Sequence, residues 1–196
     1  MDLTSTLMND FEEEIFDKQT LFTAELDEMT FSDCLFRFCR FSDCTFTGTV
    51  FRNCRFENCD FSLVKVDSTG FSNCLFKDCR IQGVNFHDCN RYQFNPDFED
   101  TVIAHSFFSD QDMAGKSFRR CTINDCEFAH TQLKEADFSE CSFNDTKFSS
   151  CNLEKANFKG ATGYAFHPGE NKVKGAKFSY PDVVNLLSPL GIIIDD

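Results

Sequence analysis

Apolar side chains recur in this chain at every fifth position. From Phe31 to Phe61 the sequence reads FSDCLFRFCRFSDCTFTGTVFRNCRFENCDF, with centres at Phe31, Phe36, Phe41, Phe46, Phe51, Phe56 and Phe61. A Cys stands two places before most of them: Cys34, Cys39, Cys44, Cys54 and Cys59. A straight α-helix advances about 140° net over five residues, so these rings would spiral around it and form no face. A flat strand alternates with period two, so an odd repeat would send successive rings to opposite sides. Both conflicts disappear if the chain bends by the same amount every five residues. The Phe then always points inward, and so does the residue two before it. Four bends per turn give a square coil of 20 residues that stacks on itself as a parallel β-helix, a quasi-one-dimensional repeat architecture.

The phase can be followed along the chain. After a loose lead-in, a first repeat run occupies 11–86, with Val66 the one clearly shrunken centre. Phe86 and Ile103 are three pentads plus two residues apart, so 87–102 is a break, either a tolerated bulge or a functional loop. It contains Pro96, which cannot donate a ladder hydrogen bond, and the acids Asp97, Glu99 and Asp100. A second run covers 103–178, with a Gly- and Pro-rich excursion at 160–172. Of the 26 phenylalanines, 19 fall on centres, which makes them core and not a base-stacking platform. The last segment, 179–196, changes character. Ser179 is placed to cap, Pro181 suits a first helical turn, and Val183, Val184, Leu186, Leu187 and Leu190 predict a short helix, with Ile192, Ile193 and Ile194 as a terminal strand. One domain, 1–196, is expected.

The pentads of Phe31–Phe61 resemble those of the pentapeptide-repeat family, built of a small residue, a polar residue, Leu or Phe, and two polar residues. The resemblance implies an all-β fold, the right-handed quadrilateral parallel β-helix, with a short C-terminal capping helix. The ending GAKFSYPDVVNLLSPLGIIID is similar to the C-terminal segment of the quinolone-resistance and topoisomerase-poison-immunity branch. That resemblance implies a tail-to-tail homodimer, expected here through Val184, Leu186, Leu187, Leu190, Ile192, Ile193 and Ile194. A pure end cap on a monomer is the alternative.

Composition narrows the chemistry. The 12 cysteines keep the repeat phase and form no CxxC, so they are read as small apolar filler, with no metal site and no cofactor expected. Stacked thiols such as Cys34, Cys54 and Cys74 would sit about one strand spacing apart, ~4.8 Å, and persist reduced only in a reducing compartment. Neither a signal peptide nor an apolar stretch near ~18 residues is evident, so a soluble, cytoplasmic protein is expected. The four histidines (His87, His105, His130, His167) are scattered, and no phosphate loop or nucleophile motif appears, so no enzyme is expected.

The formal charge of −13 argues against nucleic acid as a direct ligand and suits a basic partner. Residues 1–30 hold nine acids against Lys18 alone, whereas residues 31–86 carry six acids and seven bases. Seven to eight coils of ~4.8 Å give a rod of ~35 Å, and a tail-to-tail dimer of ~70 Å matches about 20 base pairs. The resemblance then implies a DNA mimic that occupies the DNA-binding saddle of DNA gyrase or topoisomerase IV. It would free the enzyme from a quinolone or from a toxin such as albicidin or microcin. The partner-binding acids expected are Asp97, Glu99 and Asp100 in the break, Asp110, and the pair Asp125 and Asp145, 20 residues apart and therefore on one side of the rod. A protein-interaction scaffold with no topoisomerase role is the alternative. No membrane and no small-molecule substrate are expected.

Overall fold

The computed structural model describes Leu3 and residues 9–193. The chain is a four-sided parallel β-solenoid in which short strands pair in register with those one coil away. Face I stacks Asp10–Glu12, Thr30–Ser32, Val50–Arg52 and Gly70–Ser72. Face II runs from Ile15–Asp17 to Phe118–Arg119, and face III from Thr20–Phe22 to Ser142–Asn144. Face IV is held by the bridges Glu25↔Thr45 and Thr45↔Lys65, then by Glu127–Ala129 on Lys147–Ser149.

The period of five has a backbone cause. Outside the bulge and the closing helix, the residue two after each centre sits in the left-handed region, with φ between 47° and 61° at the non-glycine corners. One such residue per pentad turns the chain, and Asn, Asp or Gly is the natural occupant because it adopts this conformation at least cost. Phe38 and Leu63, at φ 54° and 57°, are the bulky apolar exceptions, and both are exposed.

Inside, the rings stack coil on coil. Face II contributes Phe16, Phe36, Phe56, Phe76, Phe98, Phe118, Phe138, Phe158 and Phe178, with neighbouring centroids 4.6–5.3 Å apart and planes within 14–19°. Each fully buried ring contributes on the order of 1.5–3 kcal/mol by area. All 12 cysteines are buried and free. They do more than fill space: Cys39, Cys54, Cys59, Cys74 and Cys79 each donate from Sγ to the carbonyl of the ring residue 23 positions earlier, at 3.3–3.4 Å. Thr69 and Thr131 make the same bond from Oγ1, at 2.7 and 2.9 Å. Burial pushes the Cys121 and Cys126 thiols up to about 12 and about 11, which keeps them protonated.

Several expected boundaries move. The break is narrower than 87–102, because Phe98 is already a face II centre and Phe94 is buried. The protruding part is Asn90–Gln93. Phe71 N–H donates to Gln93 O and Asn95 N–H to Phe71 O, and Asn95 Oδ1 then accepts from Asn73 N–H at 2.6 Å, which restores the ladder. Gly70 leaves room for the bulge, since a Cβ there would lie 2.5 Å from Gln93 Oε1. The excursion at 160–172 does not loop out. It turns Tyr164 and Phe166 into the core, and Gly163 passes so close that a Cβ would lie 2.2 Å from Phe143 O.

The closing helix is a 3-10 helix, Asp182–Leu190, which Pro189 interrupts as a donor. Ser179 does not cap it. Its Oγ accepts from Gly160 N–H at 3.0 Å, and Asp182 Oδ1 accepts from Gly163 N–H at 3.0 Å, so both side chains pin the helix to the coil beneath. Ile192 and Ile193 are not in a strand, and Ile194 lies outside the described residues.

Candidate partner-binding surfaces

The six expected acids do not share a face. Asp97, Glu99 and Asp100 lie together on the strand Asp97–Glu99 of face II and the corner after it. Asp110 occupies the corner between faces IV and I, and Asp125 and Asp145 occupy the corner between faces III and IV. The last two are one coil apart, with Asn124 paired in register to Asn144 beside them.

Their environments differ as much as their positions. Arg120 clamps the first group, donating from Nε and Nη2 to both Asp100 oxygens at 2.7 and 2.8 Å and from Nη2 to Glu99 at 2.6 Å. Lys77 adds a contact to Glu99 at 3.5 Å, and Asp97 Oδ1 accepts from Ser117 N–H at 2.7 Å. The Arg120 hydrogen bonds hold the carboxyls of Glu99 and Asp100 below their usual range. Asp110 faces His87 at 3.5 Å and Asp125 faces His105 at 3.7 Å, in both cases at about half-exposed side chains. Asp145 is exposed and is in no ion pair among the described residues.

Face II shows how charge is balanced along the middle of the rod. Asp17, Arg37, Glu57, Lys77, Glu99 and Arg119 occupy equivalent positions in successive coils, so opposite charges alternate up one column. Cross-strand neighbours of opposite sign stabilise a sheet, and within this ladder Arg37 reaches Asp17 and Lys77 reaches Glu99, each at 3.5 Å, pairing acids that a phosphate mimic would leave free. The signal is in the sequence, as charge alternation every 20 residues and 22 across the bulge. Pentad counting alone does not read it.

At the C-terminus Leu186 turns inward, 7% exposed, so it closes the core of its own chain. Val184 and Leu187 are half-buried, while Leu190, Ile192 and Ile193 are exposed, as is the adjacent Tyr180. At the bulge, Tyr92 projects with 92% exposure beside Arg91, whose Nη2 donates to Asp110 O at 3.0 Å. Among the described residues no group of three or more His, Cys, Asp and Glu is placed to hold a metal ion, and no helix is long and apolar enough to cross a membrane.

The profile of the pentapeptide repeat region matches residues 49–124 and 102–178, and that of pentapeptide repeats in eight copies matches residues 24–65. No curated protein matches the sequence significantly. Among solved structures, a trypsin-treated point variant of QnrB1, a plasmid-mediated fluoroquinolone resistance protein, superposes with a TM-score of 0.60 at 17% identity, covering 96% of this chain and 98% of that one. A second trypsin-treated point variant of QnrB1 gives 0.63 at 16% identity over 97% and 100% of the two chains. At these identities the likeness is one of fold.

Proposed function

This chain belongs to the pentapeptide-repeat family, and from that premise we propose that it is a non-catalytic rod that binds DNA gyrase or topoisomerase IV. In doing so it relieves the enzyme of a quinolone or of a toxin such as albicidin or microcin. The observation that carries the reading is the whole-length solenoid that ends in a short apolar helix. Eight inter-coil steps of ~4.8 Å along the face II ring column make a rod of ~40 Å, on the scale of a short DNA duplex. Tail-to-tail pairing would double it, through the exposed Leu190, Ile192 and Ile193 with Val184 and Leu187 at the margin. The cytoplasm, which keeps stacked thiols reduced, is the compartment this reading requires.

Within it, Asp110, Asp125 and Asp145 offer accessible carboxylates, and the acids of the first coil add to them. Asp97, Glu99 and Asp100 contribute shape and their remaining lone pairs, because Arg120 already holds two of them. A second reading, an interaction scaffold with no topoisomerase role, is favoured by the neutral ladder of face II. A gyrase supercoiling assay with purified protein, with and without a quinolone, decides between them. The mimic should rescue the poisoned enzyme at low protein and inhibit it at high protein. No effect in either arm from a folded protein would leave the scaffold. In parallel, Leu190→Arg should reduce a tail-to-tail dimer to monomer by light scattering at high salt while sparing the Leu186 cap.

A further inference from the structure

Charge is distributed along the rod, not only around it. Residues 9–30 carry eight acids against Lys18, whereas residues 147–178 carry six lysines against Glu154 and Glu170. The reversal follows one edge of the rod, made of faces I and II and the corner between them. In the first coil this edge carries Asp10 and Glu12 on face I, Glu13 at the corner and Asp17 on face II. Each coil repeats these positions. In the last coils the position of Asp10 is held by Lys172, which bridges to Asn152, and that of Glu12 by Lys174. One coil earlier Lys155 occupies the corner, with φ 58°, next to Glu154 at the Glu12 position, and Lys159 takes the place of Asp17.

Among the described residues most of these charges have no ion-pair partner in their own chain. Among the described residues the ion pairs at the two ends of the edge are Asp17 with Arg37 at 3.5 Å and Lys155 with Glu135 at 3.0 Å. The corner between the ends is polar and mostly uncharged: Asn53 Nδ2 donates to Asp33 Oδ1, and Asn73 Nδ2 to Asn53 Oδ1, at 3.1 and 3.4 Å. The ends are separated by most of the ~40 Å rod, several times the ~8 Å Debye length at physiological salt, so each acts on its surroundings independently.

We propose that this edge is a self-complementary interface, on which a second copy of the chain lies antiparallel. The acidic first coil of each copy then meets the lysine-bearing last coils of the other. Reversing the direction of one rod brings Asp10, Glu12 and Glu13 against Lys172, Lys174 and Lys155, and the two-fold axis repeats the contact at the far end. The arrangement is isologous and closes at two copies. It is distinct from tail-to-tail pairing through Leu190 and its neighbours, and it requires no topoisomerase partner. A nucleic acid on the lysines is the competing occupant. The chain's own acids are favoured because they occupy the equivalent positions of the same edge, at the distance the fold itself sets.

Sedimentation velocity at low and high salt tests the proposal in the chain carrying Leu190→Arg, which removes tail-to-tail pairing, using that chain, its variant Asp10→Lys/Glu12→Lys/Glu13→Lys, and its variant Lys155→Glu/Lys172→Glu/Lys174→Glu. The Leu190→Arg chain should sediment at twice its 22.5 kDa mass at low salt and fall towards one chain at high salt. Each variant alone should be monomeric. An equimolar mixture, whose edges are again complementary, should recover the dimer, and circular dichroism confirms that both variants are folded. A Leu190→Arg chain that is monomeric at every salt overturns the proposal. So does a dimer that survives both variants, or a mixture that does not re-associate. Fluorescence anisotropy with a labelled DNA duplex supplies the remaining arm: saturable binding by a full chain that does not self-associate assigns the lysines to nucleic acid.

Discussion

Faces I and II start alike, with a phenylalanine in each of the first four coils, and part at the bulge. On face II the ring of Phe98 stacks on Phe76 at 5.3 Å and 16°, so the column crosses the two-residue insertion unbroken. On face I, Phe94 meets Phe71 edge-on, at 6.3 Å and 82°, and the centres that follow are Met113, Leu133, Leu153 and Val173. The insertion is therefore absorbed within one face and its preceding corner. A solenoid can do this because each coil touches only its neighbours, so an irregularity need not propagate. The rod therefore has a continuous spine on face II and an interruptible face beside it, and the exposed Tyr92 lies on the interruptible side.

Four measurements would break or sharpen that contrast. Phe56→Asp, which drives a charge between rings 4.9 and 4.6 Å away, should abolish folding, and a cooperative melt by circular dichroism like that of the parent would refute the spine. Phe98→Ala should cost about 3–5 kcal/mol in urea unfolding, and Phe94→Ala less, because Phe98 loses parallel neighbours on both sides. Equal losses would mean that stacking geometry carries no weight beyond burial. Raising the pH tests the interior slots. Thiols with folded values of about 12 and about 11, against 9.0 when free, hold their protons more tightly in the folded chain. Their contribution is complete below pH 9 and should be lost as pH rises towards 12, seen as a falling Tm. Finally, Tyr92→Ala should leave the Tm within about 1 °C, since the side chain packs on almost nothing.

The fold was legible because its cause is local and repeated. Phe at every fifth position with a small residue two before it admits one kind of path, and the positions of Cys34, Cys54 and Cys74 already place them in one stack. The site was less legible. Spacing by 20 puts Asp125 above Asp145, yet the same rule, applied to Asp100 and Arg120, shows a carboxylate that a base neutralises. Pairing of charges across coils depends on side-chain reach and on the register after the bulge. The register shifts first by three residues, at Gln93, and then settles at two, at Asp97, which counting centres from Phe86 to Ile103 does not resolve.

By itself the sequence determined the period, the inward phenylalanines and small residues, the acidic beginning and the apolar ending, because each is a property of one pentad or one short segment. Only the tertiary structure decided which charges meet. It set the alternating ladder on face II, gave Glu99 and Asp100 to Arg120, turned Leu186 inward while leaving Leu190 out, and placed Asp10 and Glu12 on the edge that ends in Lys172 and Lys174. Those outcomes rest on contacts between residues 20 or more apart in the chain, where small changes in register move a side chain to another neighbour.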